Sequence, residues 1–273
     1  MECFFHLGND CAYTVGIHIG GTIENFAYMM NNKAKEMGLK DTSFANPHGL
    51  DNDNHYTTAT EMALITKYAI ENKYINQAMN TKSETVNFGS FSKLLTNTNA
   101  LLKTYTYADG GKTGFTNKAN RCLVATATKG ESRYIGVVLG AETTKLRFNT
   151  TKDILEASFE RYQNMDISKY LNFYINVPVE KGSIKSYERK YEDSMILPLT
   201  NEEYEGIYVK QDVSQKIVPP MYLGDRIGKI ELFIEDEKIY EREIILDQNI
   251  YKKNIIDYIN EGLNNMFVPF EKI

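Results

Sequence analysis

Lys112-Thr113-Gly114 stands in the run Asp109-Gly110-Gly111-Lys112-Thr113-Gly114-Phe115-Thr116, with Cys122-Leu123-Val124-Ala125-Thr126-Ala127-Thr128 close behind. A lysine set between glycines in a period-two segment points to a cleft rather than to a solvated strand face. Arg147 begins a helical stretch, where the dipole favours anions, so a cation there has a reason other than helix stability. Ser90-Phe91-Ser92-Lys93 has the residue types of a lysine-activated serine nucleophile. It lies in a Gly-Ser segment beside a strand, and two common residues three apart recur by chance. His48, Asp51, Asp53 and His55 are metal-ligating types. Their spacing matches neither a zinc pair one helical turn apart nor an EF-hand loop, which needs glycine where Tyr56 stands. The sequence thus implies no metal and no other cofactor.

The elements that position these residues are legible as periods and punctuation. Asp10 to His18 reads as a short helix packed by Ala12, Val15 and Ile19, broken by Gly20-Gly21. Thr22 is placed to cap a second helix carrying Phe26, Met29, Met30, Ala34 and Met37, which Gly38 ends. Residues 39–57 form a loop, and Thr58-x-x-Glu61 matches a capping box for a helix buried through Met62, Ile65 and Ala69. Ser83 to Phe88 alternates as a strand, and 101–106 is ambiguous. Three strands follow, Lys112–Thr116, Arg121–Thr128 and Arg133–Gly140, the last two joined by the turn Lys129-Gly130-Glu131-Ser132. Asn120, the best substitute for glycine in a left-handed turn, admits the chain to the second strand. Arg147 to Tyr162 is helical, with Ile154, Leu155, Ala157, Phe159 and Tyr162 available for burial.

Beyond Asp166 short β-type runs, Tyr174–Val177 and Ile230–Ile234, alternate with turn clusters and predict a small β-sandwich. Asn254 to Phe267 sets Ile255, Ile256, Ile259, Leu263, Met266 and Phe267 along one side of a helix. Asp257 and Glu261 and the scarcity of basic residues make membrane-surface contact a weak reading. The fold class is α+β, with a first domain over 1–166 and an all-β domain over 167–273.

With 273 residues the chain has room for two domains. A net charge of -5 gives no footprint for nucleic acid. No stretch reaches the apolar length that spans a bilayer. Cys3, Cys11 and Cys122 have no metal-like spacing, and no Cys3–Cys11 bridge is expected. Met1 to His6 has neither the basic nor the apolar region of a secretory signal, which taken alone reads as cytoplasmic unless the true start lies upstream.

Leu7-Gly8-Asn9-Asp10, Phe44-Ala45-Asn46-Pro47-His48-Gly49-Leu50-Asp51, His55-Tyr56-Thr57-Thr58-Ala59, Lys112-Thr113-Gly114 and Arg147-Phe148 follow one another in this order. In that order they closely resemble the low-molecular-weight penicillin-binding proteins, serine-type D-alanyl-D-alanine carboxypeptidases of bacterial cell walls. The resemblance covers nearly the whole chain. It implies a β-lactamase-like transpeptidase domain ahead of the β-domain, and an extracytoplasmic setting in the cell envelope. Its substrates would be peptidoglycan stem peptides ending in D-Ala-D-Ala, and its ligands β-lactams.

The same resemblance implies roles. Asn9 would hydrogen-bond substrate as the last residue of the Ser-x-Asn motif, Lys112 would supply positive potential, and the Phe115 N–H would be one of two oxyanion donors. Thr113 and Arg147 would bind the terminal carboxylate, which a guanidinium's planar fork matches bidentately, and Gly114 would count with them as substrate-binding. Two parts of the pattern depart. Leu7 stands where the motif's serine is expected and offers no hydroxyl. No Ser-x-x-Lys precedes Asn9, as though the helix carrying it and the first strands of the sheet were cut away. Ser90 follows the second motif instead of preceding it. The expectation is therefore a truncated family chain that is catalytically dead, with an envelope binding or scaffolding role as the alternative. A β-lactamase of the same fold is disfavoured by the β-domain and the carboxypeptidase-type loops.

Overall fold

The computed structural model describes residues 8–88 and 91–266. Cys3, Leu7, Ser90 and Phe267 lie outside the described residues. The chain forms two compact units, Met1–Arg161 and Tyr162–Ile273.

In the first unit α1 (Asn9–Gly20) packs on α2 (Ile23–Glu36). The contact is made by glycine. A Cβ on Gly20 would lie 2.7 Å from the Phe26 backbone nitrogen, and one on Gly16 would lie 3.1 Å from Pro47 Cγ. This close approach turns the β-branched residues outward, so Val15 and Ile19, expected inside, are exposed. Thr22 caps α2 as expected, its Oγ1 accepting from the Asn25 N–H at 3.1 Å. In α2 Ala27 and Ala34 are the buried residues, whereas Met29 faces solvent.

Helix α3 (Ala59–Glu71) begins at Thr58, whose hydroxyl accepts from the Glu61 N–H. The reciprocal half of the capping box is not made. The Glu61 carboxylate accepts instead from the backbone N–H groups of Lys40 and Asp41, at 2.7 and 3.0 Å, and from the Thr42 hydroxyl at 2.5 Å. Glu61 and Thr66 are the buried residues of this helix, and Met62, Ile65 and Ala69 are only half-buried. Helix α4 (Lys73–Asn80), the hairpin β1 (Ser83–Phe88) and β2 (Phe91–Thr96), and the short α5 (Leu101–Thr104) lead into the sheet.

That sheet is β3 (Ala108–Thr116), β4 (Asn120–Lys129) and β5 (Ser132–Ala141), antiparallel in the order β3-β4-β5. Asn120 enters β4 at a φ of 54°, the left-handed conformation asparagine tolerates. Helix α6 (Thr144–Arg161) lies on β4 and β5. Its Leu155 packs with Leu123, Ala125, Ala127, Leu101 and Tyr105, while Ala157 is exposed. Gly136 gives α6 room, since a Cβ there would sit 3.2 Å from Leu155 and Thr151 side-chain carbons. Among the described residues β5 pairs with β4 alone and presents its other edge unpaired.

The second unit is all-β in its body. Strands β6 (Gln163–Asp166) and β9 (Ile196–Leu199) pair, as do β7 (Phe173–Pro178) and β8 (Ser186–Tyr191). β10 (Ile207–Val213), β11 (Arg226–Ile234) and β12 (Glu237–Ile245) form a meander. Alternate residues such as Ile175, Val177, Tyr187, Tyr191, Ile230 and Leu232 meet in one core. Two short helices, α7 (Ser168–Leu171) and α8 (Asn201–Glu205), interrupt the strands, and α9 (Ile255–Met266) follows them. Thr200 and Glu203 make a complete capping box at α8. No helix among the described residues is long and apolar enough to cross a membrane.

Candidate active site

Strand β3 is placed by polar clamps rather than by apolar packing. A bulge at Ala108/Gly110 turns the Asp109 carboxylate onto the hydroxyls of Thr126 and Thr128, each at 2.6 Å, and onto Arg133 Nε at 3.1 Å. Gly111 has φ +134°, and a Cβ there would fall 2.2 Å from the Val124 carbonyl oxygen and 2.9 Å from Asn99 Nδ2. Only glycine fits so close an approach. The adjoining turn is held by buried Asn97 and Asn99, and Asn99 Nδ2 donates to the Gly110 carbonyl at 2.9 Å.

These clamps present Lys112, Thr113, Gly114 and Phe115 in register with Val124, Leu123, Cys122 and Arg121. Lys112 Nζ donates to the Thr113 carbonyl at 2.7 Å. Thr113 is 6% exposed, and its hydroxyl lies 2.6 Å from that of Thr98. Phe115 is half-exposed with the Arg121 guanidinium 4.9 Å above its ring.

Arg147 ends the first turn of α6 and reaches back under the hairpin. Its Nη1 donates to the carbonyls of Gly114 and Cys122, both at 3.3 Å, and Nε has no partner among the described residues. The residue is 8% exposed, and no carboxylate among the described residues pairs with it. Burial, and then the neighbouring Arg121 charge, lower its pKa from the usual guanidinium value. The guanidinium also lies 4.6 Å from the centroid of the Phe148 ring, so among the described residues this buried cation is answered by neutral groups.

The structure therefore joins Gly114 and Arg147 directly, with Lys112, Thr113 and Phe115 on the same strand as Gly114. Asn9 is not joined to them. It is exposed in the first turn of α1, with no side-chain hydrogen bond among the described residues. The loop of 44–58 meets the hairpin entrance through Lys118 and Asp53, 2.7 Å apart, beside a cleft of about 260 Å³ lined by His55, Asp51 and Thr116. His48 and His55 use Nδ1 to accept backbone N–H bonds from Leu50 and Ala45. Burial first, then His48, lower the His55 pKa.

The family model of D-alanyl-D-alanine carboxypeptidases matches residues 3–143, and that of the penicillin-binding protein 5 C-terminal domain matches 172–252. The chain belongs to the D-alanyl-D-alanine carboxypeptidase family. It is 33% identical over 261 residues to the carboxypeptidase DacF of Bacillus subtilis, covering 94% of this chain and 67% of that protein. With DacC of Escherichia coli it shares 28% over 246 residues, 89% of this chain and 60% of that protein. Penicillin-binding protein 5 of Haemophilus influenzae superposes with a TM-score of 0.72 at 26% identity, covering 92% of this chain and 73% of that one. The chain thus spans three fifths to two thirds of the two curated relatives. As a family, these low-molecular-weight penicillin-binding proteins are cell-envelope hydrolases.

Two residues beside the family's strand motif had no sequence signal. Thr98 touches Thr113 only because the 97–99 turn folds onto β3. Arg121 reads as an ordinary strand-start arginine, yet its Nε donates to Thr144 Oγ1 at 3.1 Å and its Nη1 to the Glu142 carbonyl at 2.8 Å. It thereby holds a second positive charge near Arg147.

Proposed function

We propose that this chain carries the carboxylate-recognising wall of a D-alanyl-D-alanine carboxypeptidase acting on peptidoglycan stem peptides. In that chemistry a serine hydroxyl attacks the carbonyl of the penultimate D-Ala, the terminal D-Ala leaves, and water then releases the acyl group from the serine. Thr113 and Arg147 hold the terminal carboxylate, Lys112 raises the local potential, and the Phe115 N–H helps to hold the oxyanion. Asn9 contributes through its amide once substrate lies across the cleft. The observation that supports this reading is Arg147, buried, hydrogen-bonded to the Gly114 and Cys122 carbonyls and without a carboxylate partner among the described residues.

The reading separates binding from chemistry. The 273-residue chain has no Ser-x-x-Lys ahead of Asn9, and Leu7 offers no hydroxyl for proton transfer. By itself it binds D-Ala-D-Ala-terminated peptides and β-lactams without forming an acyl-enzyme. Calorimetric titration with N-acetyl-D-Ala-D-Ala tests the binding half. Saturable binding that weakens about tenfold or more in Arg147→Met supports it, in line with a lost charge-assisted bond. Binding unchanged by that substitution contradicts it.

A further inference from the structure

We propose that Thr98 is a positioning residue that fixes the direction of the Thr113 hydroxyl toward the ligand carboxylate. The inference rests on reading Thr113 and Arg147 as the carboxylate-binding pair. The two threonine hydroxyl oxygens are 2.6 Å apart, and by geometry either can donate. Each hydroxyl has a single proton. A carboxylate only accepts, so with a ligand in place the Thr113 proton must point at the ligand. The bond between the threonines must then run from Thr98 to Thr113. Thr98 satisfies the buried Thr113 oxygen and leaves its proton for the anion. Two hydroxyl dipoles in series strengthen one another in such a site. Without Thr98 the Thr113 oxygen loses its donor, and its proton loses a fixed direction.

The local backbone is built to hold Thr98 still. Asn97 and Asn99 flank it, 6% and 1% exposed. Asn97 Nδ2 donates to the carbonyls of Met79 and Thr81 at 3.3 and 3.1 Å, and its Oδ1 accepts from the Asn99 N–H at 2.9 Å. Asn99 Oδ1 accepts from the Leu101 N–H at 3.1 Å, and its Nδ2 ties the turn to β3 at Gly110. The turn is therefore anchored without the Thr98 side chain, which is only half-buried. What remains for the Thr98 hydroxyl is its contact with Thr113.

The test compares the whole chain with Thr98→Val, close in shape but without the hydroxyl, and Thr98→Ser, which keeps it. Thermal melting checks folding, N-acetyl-D-Ala-D-Ala titration reads affinity, and NMR couplings read the Thr113 side-chain rotamer in the free protein. The expected result is a loss of affinity of about fivefold or more in Thr98→Val, near-native affinity in Thr98→Ser, and a similar melting temperature in both. In free Thr98→Val the Thr113 rotamer averages. Equal affinity and rotamer in Thr98→Val and the unsubstituted chain overturn the inference alone. So does equal weakening in both variants with a lowered melting point, which marks a structural role. An unsubstituted chain that binds no dipeptide instead overturns the carboxylate reading, and this inference with it.

Discussion

The two units keep their shape by different means. The second gathers sixteen buried apolar residues, from Ile167 to Ile250, into one cluster fed by alternating strands. Among the described residues of the larger first unit, the sheet's buried cluster has six, three of them in β4. What fixes the geometry there is a set of polar clamps: Asp109 on Thr126 and Thr128 and Asn99 on Gly110 at strand β3, and Glu61 on Lys40 and Asp41 at helix α3. A core of interchangeable apolar side chains tolerates repacking. Clamps made of single hydrogen bonds and glycine clearances fix geometry sharply and fail individually. The difference sets a broadly packed core in one unit against a sharply positioned strand in the other.

The largest effect follows from the apolar side of this contrast. Leu232→Ala in the β-core should cost about 2–5 kcal/mol in chemical denaturation. The fragment 167–273 should fold alone, with a β-type circular dichroism spectrum and a cooperative melt. A disordered fragment would break the comparison at its root. For the first unit, the β5 edge, unpaired among the described residues, and the exposed Val15, Ile17 and Ile19 predict that fragment 1–161 binds an apolar dye and self-associates. A dye-free monomer with one sharp melt would show that the polar clamps suffice without further cover.

On the polar side Gly111→Ala should cost about 2 kcal/mol or more and disturb the amide signals of Lys112 to Phe115, because the new Cβ meets the Val124 carbonyl. A variant with native signals would refute the close approach. Smaller and pH-dependent is the contribution of Glu61. The Thr42 hydroxyl, followed by the Asp41 and Lys40 N–H groups, lowers its pKa from the ordinary carboxylate value. The unfolded chain takes up that proton first as pH falls. The stabilisation is therefore complete above about pH 4.5 and is lost on acidification through the folded-state value. Melting curves from pH 7 to 3 should show a steeper acid loss for the parent than for Glu61→Gln, and parallel curves would remove Glu61 from the clamp.

How far the sequence could be read divides along the same line. Features set by neighbours in the chain were legible: the Thr22 and Thr58 caps, the Asn120 turn, the β4–β5 hairpin and the Lys112-Thr113-Gly114 strand. So was the alternation of Ile230 and Leu232 in the second unit, since strand period and burial coincide there. Features set by tertiary approach were not. Val15 and Ile19 suggested a buried face, but α1 buries Gly16 and Gly20 because only hydrogen-sized side chains admit Phe26 and Pro47 so near. Glu61 sits at the position of a capping box, yet two N–H groups and a hydroxyl from the preceding loop outbid the cap. Arg147 carried a signal as a cation at the wrong helix end, whereas Thr98 carried none.

The central proposal is that the Thr113–Arg147 wall recognises a carboxylate and that these 273 residues form no acyl-enzyme by themselves. Intact-mass spectrometry of the whole chain after incubation with benzylpenicillin tests it most directly. The account predicts an unchanged protein mass at every penicillin concentration. A stoichiometric gain of one penicillin would contradict it, and loss of that gain in Ser90→Ala would place the nucleophile at Ser90.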